Sequence, residues 1–278
     1  MKIIEIENAD FRYEGESKNA LKGFSFCAEQ GEFIALVGKN GSGKSTAARL
    51  INGLLMPAGG SVTVAGLKTT DQKTLFTVRS AVGMVFQNPD NQTVATIVED
   101  DVAFGPENLG VKREIIEQRI TEALKATDML AYRDCEVASL SGGQKQLVAI
   151  AGVLAIKPQI LILDESTSML DPKGRREIMD IVKKLNREKG VTVICVTHYM
   201  DEAAEADRVV VLNDGKAVLN GTPREVFSHE RELAESGLCL PRAAYIFNRL
   251  CEKGCLSGEI ALNKTELEEK LCELFAKI

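Results

Sequence analysis

Gly38-Lys39-Asn40-Gly41-Ser42-Gly43-Lys44-Ser45 is the stretch from which the fold of this chain can be read. Its glycines free the backbone to wrap phosphate oxygens, Lys44 has the reach for terminal phosphates, and Ser45 offers a hydroxyl to magnesium. Phe33-Ile34-Ala35-Leu36-Val37 before it is an apolar run of strand length, and Ala47-Ala48-Arg49-Leu50-Ile51 after it reads as helix. Loop amides and the positive end of that helix together make an anion site. A plain glycine-rich turn is the alternative, and the strand–loop–helix context favours the phosphate loop over it. A dinucleotide loop is disfavoured, because Thr46 stands where its third glycine would be.

Three further segments follow in order. Leu140-Ser141-Gly142-Gly143-Gln144 opens a helix: Ser141 can cap it and Gln144 can complete a capping box, leaving free amides beside two glycines as a second anion site. Ile160-Leu161-Ile162-Leu163-Asp164-Glu165 reads as a strand buried on both faces that delivers two acids to the carboxyl edge of a sheet. Magnesium and its waters would partner Asp164, and Glu165 is placed to orient or deprotonate an attacking water. The last segment, Thr197-His198, ends the strand-like run Val191–Val196. His198 is one of two histidines; the other, His229, lies among charged residues of an expected surface helix.

With these four motifs in this order, the chain resembles the nucleotide-binding subunits of ATP-binding cassette (ABC) transporters over residues 1 to about 225. The resemblance implies an α/β fold: a phosphate-loop ATPase core with an antiparallel β subdomain, a helical subdomain at about 88–156, and a mostly helical C-terminal appendage at 226–278 that serves dimerisation. It also implies ATP and Mg2+ as ligands. ATP would be held by Tyr13, stacked on adenine, and by Gly38, Lys39, Asn40, Gly41, Ser42, Gly43, Lys44, Ser45 and Thr46. Ser45, Gln87 and Asp164 would serve the metal, and Glu165 and His198 the hydrolysis. Ser141, Gly142, Gly143 and Gln144 would act in trans on the ATP of a second subunit, with Asp171 in the loop that crosses the interface. A buried core position is the competing reading for Tyr13. Lys145-Gln146-Leu147 departs from the Lys-Gln-Arg common in the family, leaving open what that arginine would have contributed.

Gln87-Asn88-Pro89-Asp90-Asn91-Gln92, Thr96–Gly105, Ser166–Asp171 and Gly237–Pro241 resemble the ATPase A component of energy-coupling factor (ECF) transporters, including cobalt and nickel importers. This implies a second ATPase subunit, a copy or a paralogue, together with a transmembrane coupling subunit and a substrate-binding membrane subunit. The expected place is the cytoplasmic face of the cell membrane, peripherally bound, with uptake of a vitamin or transition-metal ion as the task. The other class considered is a soluble ABC ATPase acting on nucleic acid or ribosomes; no long coiled-coil insertion or tandem cassette favours it.

Composition agrees. The 278 residues are 45% hydrophobic and 27% charged, enough for one sizeable core and a small appendage. A net charge of −6 argues against general nucleic-acid binding. No apolar run approaches the roughly 18 residues needed to cross a bilayer, and no signal peptide is visible. Seven scattered cysteines read as free thiols rather than disulfides, and those from Cys239 onward lack the spacing of a zinc site. Lys112–Lys125 is expected to be an amphipathic helix and Arg208–Lys216 a hairpin turn region. Apolar stripes in the tail, among them Val226-Phe227, Leu233, Leu238, Phe247 and Leu267, must be buried. They would cover either the chain's own cassette or the tail of a second copy.

Overall fold

The computed structural model describes residues 1–275. Two antiparallel strands open it, β1 (Lys2–Phe11) and β2 (Leu21–Glu29), followed by β3 (Phe33–Val37), α1 (Lys44–Ile51), β4 (Gly59–Val64), β5 (Leu67–Lys68), α2 (Leu75–Ala81) and β6 (Val82–Val85). Helices then dominate: α3 (Val98–Asn108), α4 (Arg113–Ala126) and α5 (Gly142–Ala155). The alternation resumes with β7 (Ile160–Asp164), α6 (Pro172–Lys189), β8 (Thr192–Val196), α7 (Met200–Ala203), β9 (Arg208–Asn213) and β10 (Lys216–Gly221). The tail contributes α8 (Pro223–Ser228), α9 (Glu230–Glu235), α10 (Arg242–Glu252) and α11 (Lys264–Phe275).

These strands form two sheets. A four-stranded antiparallel sheet has the order β2-β1-β4-β5, and a six-stranded sheet the order β10-β9-β3-β8-β7-β6, parallel except for the edge strand β10. In β1, Ile4 and Ile6 face inward with their cross-strand partners Ala28, Phe26, Val64 and Val62. The strands β3, β7 and β8 are buried along their whole length, as a parallel sheet covered on both faces requires. Alternate residues therefore feed two cores. Ile34, Leu36, Ile162 and Ile194 pack with α1 against the antiparallel sheet, while Ala35, Val37, Leu161, Leu163 and Val193 pack under α6.

A third core joins α3, α4 and α5 through Val98, Val102, Ile120, Leu124 and Val148. Leu147 is half-buried at the seam between this core and the one under α6, so an aliphatic side chain stands where the family commonly has arginine.

Packing does not break at residue 225. Val226, Phe227, Leu233, Leu238 and Leu262 belong to the core under α6, so the start of the tail packs against the body of the chain. Only beyond it do Ala243, Phe247, Ala261 and Leu267 gather in a small core of their own. The reason lies in chain direction: Thr222 caps α8 through a two-way box with Glu225, turning the chain from the edge strand back across the sheet. His229 lies between α8 and α9 rather than inside a helix, paired with Glu232 at 3.3 Å.

Candidate nucleotide-binding and hydrolysis site

Register brings the motif residues to one sheet edge. Leu36 of β3 pairs with Val196 of β8, and Val196 pairs with Asp164 of β7. The phosphate loop, the two acids and His198 therefore leave neighbouring strands at their carboxyl ends, where open α/β sheets bind ligands. Gly38 permits the tight exit from β3: at φ +154°, a Cβ there would lie 2.3 Å from the Leu212 carbonyl and 2.6 Å from Ser42 Oγ.

Lys44, only 4% exposed, donates from Nζ to the carbonyls of Gly38 at 2.8 Å and Lys39 at 3.2 Å, and lies 4.0 Å from Glu165 Oε1. Burial holds its pKa below the ordinary lysine value, although Glu165 and Asp164 pull the other way. Asp164 accepts a 2.7 Å hydrogen bond from Ser45 Oγ. Burial raises its pKa, partly offset by that bond. Glu165 takes a left-handed backbone at φ +53°, uncommon for a residue with a side chain, and its Oε1 is 2.6 Å from His198 Nε2. A positive-φ residue whose carboxylate meets a histidine is an outlier of the kind found at functional sites.

Tyr13, Asn40, Gly41, Gly43, Lys44, Ser45, Thr46 and Glu165 line one pocket of about 410 Å³. Tyr13 is half-buried, not a core residue: its hydroxyl is 3.2 Å from Thr46 Oγ1 and its ring meets Phe11 edge-on at 4.9 Å. The buried hydroxyl of Ser42 has no hydrogen-bond partner within the chain. An orphan donor inside a glycine loop, a buried cation and a hydroxyl–carboxylate pair suit a nucleoside triphosphate with a hard divalent cation.

Ser141 and Gln144 form the expected reciprocal capping box at the start of α5, with bonds of 3.3 and 2.9 Å. With Gly142, Gly143, Leu147 and Asp171 they line a different pocket, about 320 Å³, that shares no lining residue with the first. Asp171 caps α6, accepting from Gly174 N at 2.9 Å. Gln87, just beyond β6, is exposed and does not line the first pocket. Lys18 and Asn19, and Asp214 from the β9–β10 turn, join the first pocket through long-range packing.

Residues 21–168 match the ABC transporter family. The ATP-binding protein EcfA1 of an energy-coupling factor transporter from Caldanaerobacter subterraneus subsp. tengcongensis is 50% identical over 97% of this chain and 99% of its own length. This chain belongs to the ABC transporter ATPases of energy-coupling factor type. The EcfA1 protein of Clostridioides difficile is 47% identical over 98% of the chain and 99% of its own. Among solved structures, CbiO1 of Clostridium perfringens, described as part of the ABC transporter complex CbiONQ, superposes with a TM-score of 0.77 at 37% identity, covering 89% of this chain and 99% of that one. The cassette MJ0796, a dimer bound to ADP and phosphate after hydrolysis, superposes with a TM-score of 0.72 at 32% identity, over 80% and 99%. The chain binds and hydrolyses ATP as a member of this family.

Proposed function

We propose that this chain works as one half of an ATPase pair that energises uptake through membrane subunits. The observation that supports pairing most directly is the separation of the two anion sites: the phosphate loop and the Ser141–Gln144 helix start open into different pockets of the same chain. A head-to-tail partner, a copy or a paralogue, would use the second site against the ATP held in its own first site. Asp171 and the exposed Met169 line or flank that surface.

In this reading Lys44 and the loop amides hold the β and γ phosphates. Ser45 and Asp164 would hold a magnesium ion, with Gln87 as a further group serving it. That ion supplies charge neutralisation on the phosphates. Glu165 orients and deprotonates water, and His198, bonded to it, keeps the carboxylate aimed and meets the γ phosphate.

A groove between α3, α5 and the β6 edge of the parallel sheet supports membrane coupling. Leu54, Val94 and Phe104, 46%, 55% and 48% exposed, lie along it with Phe86 and Gln92. Its apolar lining beside polar Gln92 and Asp101 suits a short helix from a membrane protein. Among the described residues no helix is long and apolar enough to cross a bilayer. In this reading such a partner would hold the chain peripherally at the cytoplasmic face of the membrane. The cargo, a vitamin or a metal ion, would pass through the partners without touching this chain.

The test is Glu165→Gln. It is expected to bind ATP, lose turnover by about 10²–10⁴-fold, and accumulate as an ATP-bound dimer on size-exclusion chromatography. Near-normal hydrolysis by this variant would refute the assignment.

A further inference from the structure

The catalytic edge of the sheet rests on a carboxylate that belongs to none of the motifs. Glu202 lies on α7, one short turn after His198, and is 7% exposed. Its Oε1 accepts from Thr167 Oγ1 at 2.7 Å, and its Oε2 accepts from Thr197 Oγ1 at 2.5 Å. Thr167 follows Glu165 by two residues, and Thr197 immediately precedes His198. One buried carboxylate thus joins the loop that presents the base to the loop that presents the histidine.

The surroundings show that this is a specific contact. Ser166, Thr167 and Ser168 place consecutive hydroxyls in the base loop, yet those of Ser166 and Ser168 are buried without a partner and only that of Thr167 is bonded. Thr197 Oγ1 donates to Glu202 while accepting from Tyr199 N at 3.0 Å, which fixes the turn that carries His198. Arg175, stacked 3.9 Å over the Tyr199 ring, and Glu205 are the charged groups facing Glu202. Among the described residues no cation pairs directly with the carboxylate, and burial raises its pKa against the pull of the two threonines and Arg175. Burying a carboxylate this way is costly, and an apolar side chain would serve packing better.

We propose that Glu202 is a positioning residue for hydrolysis: by holding Thr167 and Thr197 at once, it sets the distance and angle between Glu165 and His198. The inference rests on reading those two residues as the hydrolytic pair. Their 2.6 Å contact is the geometry being held. Released from the clamp, the base loop would be held by its backbone bonds, Glu165 N to Val196 O, Ser168 N to Glu165 O and Leu170 N to Thr167 O, which leave its side chains free to shift. A displacement near 1 Å at a reacting group costs on the order of 10²-fold in rate.

The experiment uses the full-length protein, with steady-state hydrolysis, ATP affinity by fluorescent-nucleotide titration, and thermal midpoint measured for each variant. Glu202→Ala is expected to lower kcat by roughly 10–100-fold and to leave ATP affinity within about twofold. Glu202→Gln keeps one accepting oxygen and adds an amide donor that a threonine hydroxyl can accept, so it should recover most of the lost rate. Thr167→Val keeps the side-chain shape while releasing one arm, and should lower kcat several-fold at unchanged affinity; it decides the matter if Glu202→Ala does not fold. In a His198→Ala background the Glu202→Ala loss should shrink, because the clamp acts through the pair. Near-normal turnover by His198→Ala or Glu165→Gln would overturn the reading of the pair itself. Inactive His198→Ala beside a fully active Glu202→Ala or Thr167→Val would overturn the clamp alone. So would a loss confined to thermal midpoint or ATP affinity, with kcat per folded molecule unchanged.

Discussion

Lys44 and Asp164 show what the nucleotide site costs the fold. Both are buried, and burial moves both pKa values toward the neutral form: the lysine is lowered and the aspartate raised. For Asp164 the sign follows directly. A carboxylate with a raised folded pKa contributes stability below its unfolded value and loses it as pH rises through the folded one. Asp164→Asn should therefore stabilise the nucleotide-free chain at neutral pH, since an asparagine oxygen can still accept from Ser45. The gain should shrink as pH falls through the folded pKa of Asp164. Differential scanning fluorimetry checks this, at roughly 2–4 °C per kcal/mol for a chain of this size; a lower midpoint than wild type at neutral pH would contradict it. The same variant should lose most hydrolysis, because the metal loses its carboxylate. Tyr13→Ala is expected to weaken ATP binding by no more than about 1–3 kcal/mol, the range of one base–aromatic stack, measured by nucleotide titration. Unchanged affinity would remove Tyr13 from the adenine platform.

At the scale of elements, the proposed coupling would run through α5. Its first residues form the second anion site, and its next two reach the coupling segment: Lys145 Nζ is 2.7 Å from Asp90 Oδ1, and Gln146 Nε2 donates to the Phe86 carbonyl at 3.2 Å. A membrane partner seated in the groove would push on the same segment, Gln87 to Gln92, that is tied to α5. Changing Asp90 and Asn91 together to alanine should then reduce transport in reconstituted vesicles more than hydrolysis by the isolated ATPase. Equal losses in both assays would reduce the segment to a local structural role. Because Asp90 is well exposed, the ion pair adds little to stability.

For the molecule as a whole, the tail decides where the chain can be cut. Phe227, Leu233 and Leu238 cover the sheet face under α6, and removing a buried phenylalanine side chain alone typically costs about 3–5 kcal/mol. Ending the chain after Thr222 should therefore lower the thermal midpoint sharply or prevent folding. Ending it after Leu262 keeps that face covered, removes α11, and should leave a folded chain that binds ATP. Tyr245, Ile246 and Phe275 remain exposed on the outer helices, the apolar groups available for a contact between two tails. If such a contact tethers the pair when the nucleotide interface is open, the shorter chain should be more monomeric without ATP in sedimentation velocity. An unchanged dimer would remove α11 and Phe275 from any such contact.

The phosphate loop, the Asp164-Glu165 pair, His198 and the Ser141–Gln144 cap were legible as residues because each depends on local grammar: a glycine turn, a strand end, a helix start. Strand runs such as Ile160–Leu163 declared their two-sided burial by composition for the same reason. Glu202 was not legible, since an acid in a short helix looks like any surface charge until Thr167, far away in the chain, is folded against it. What the tail covers is not written in its sequence, because apolar stripes report that they are buried but not what covers them. Local chemistry is written in neighbouring residues and could be read from their order. The clamp, the separation of the two anion pockets and the packing of the tail on the cassette arise from pairings across many residues, which only the tertiary structure brings into contact.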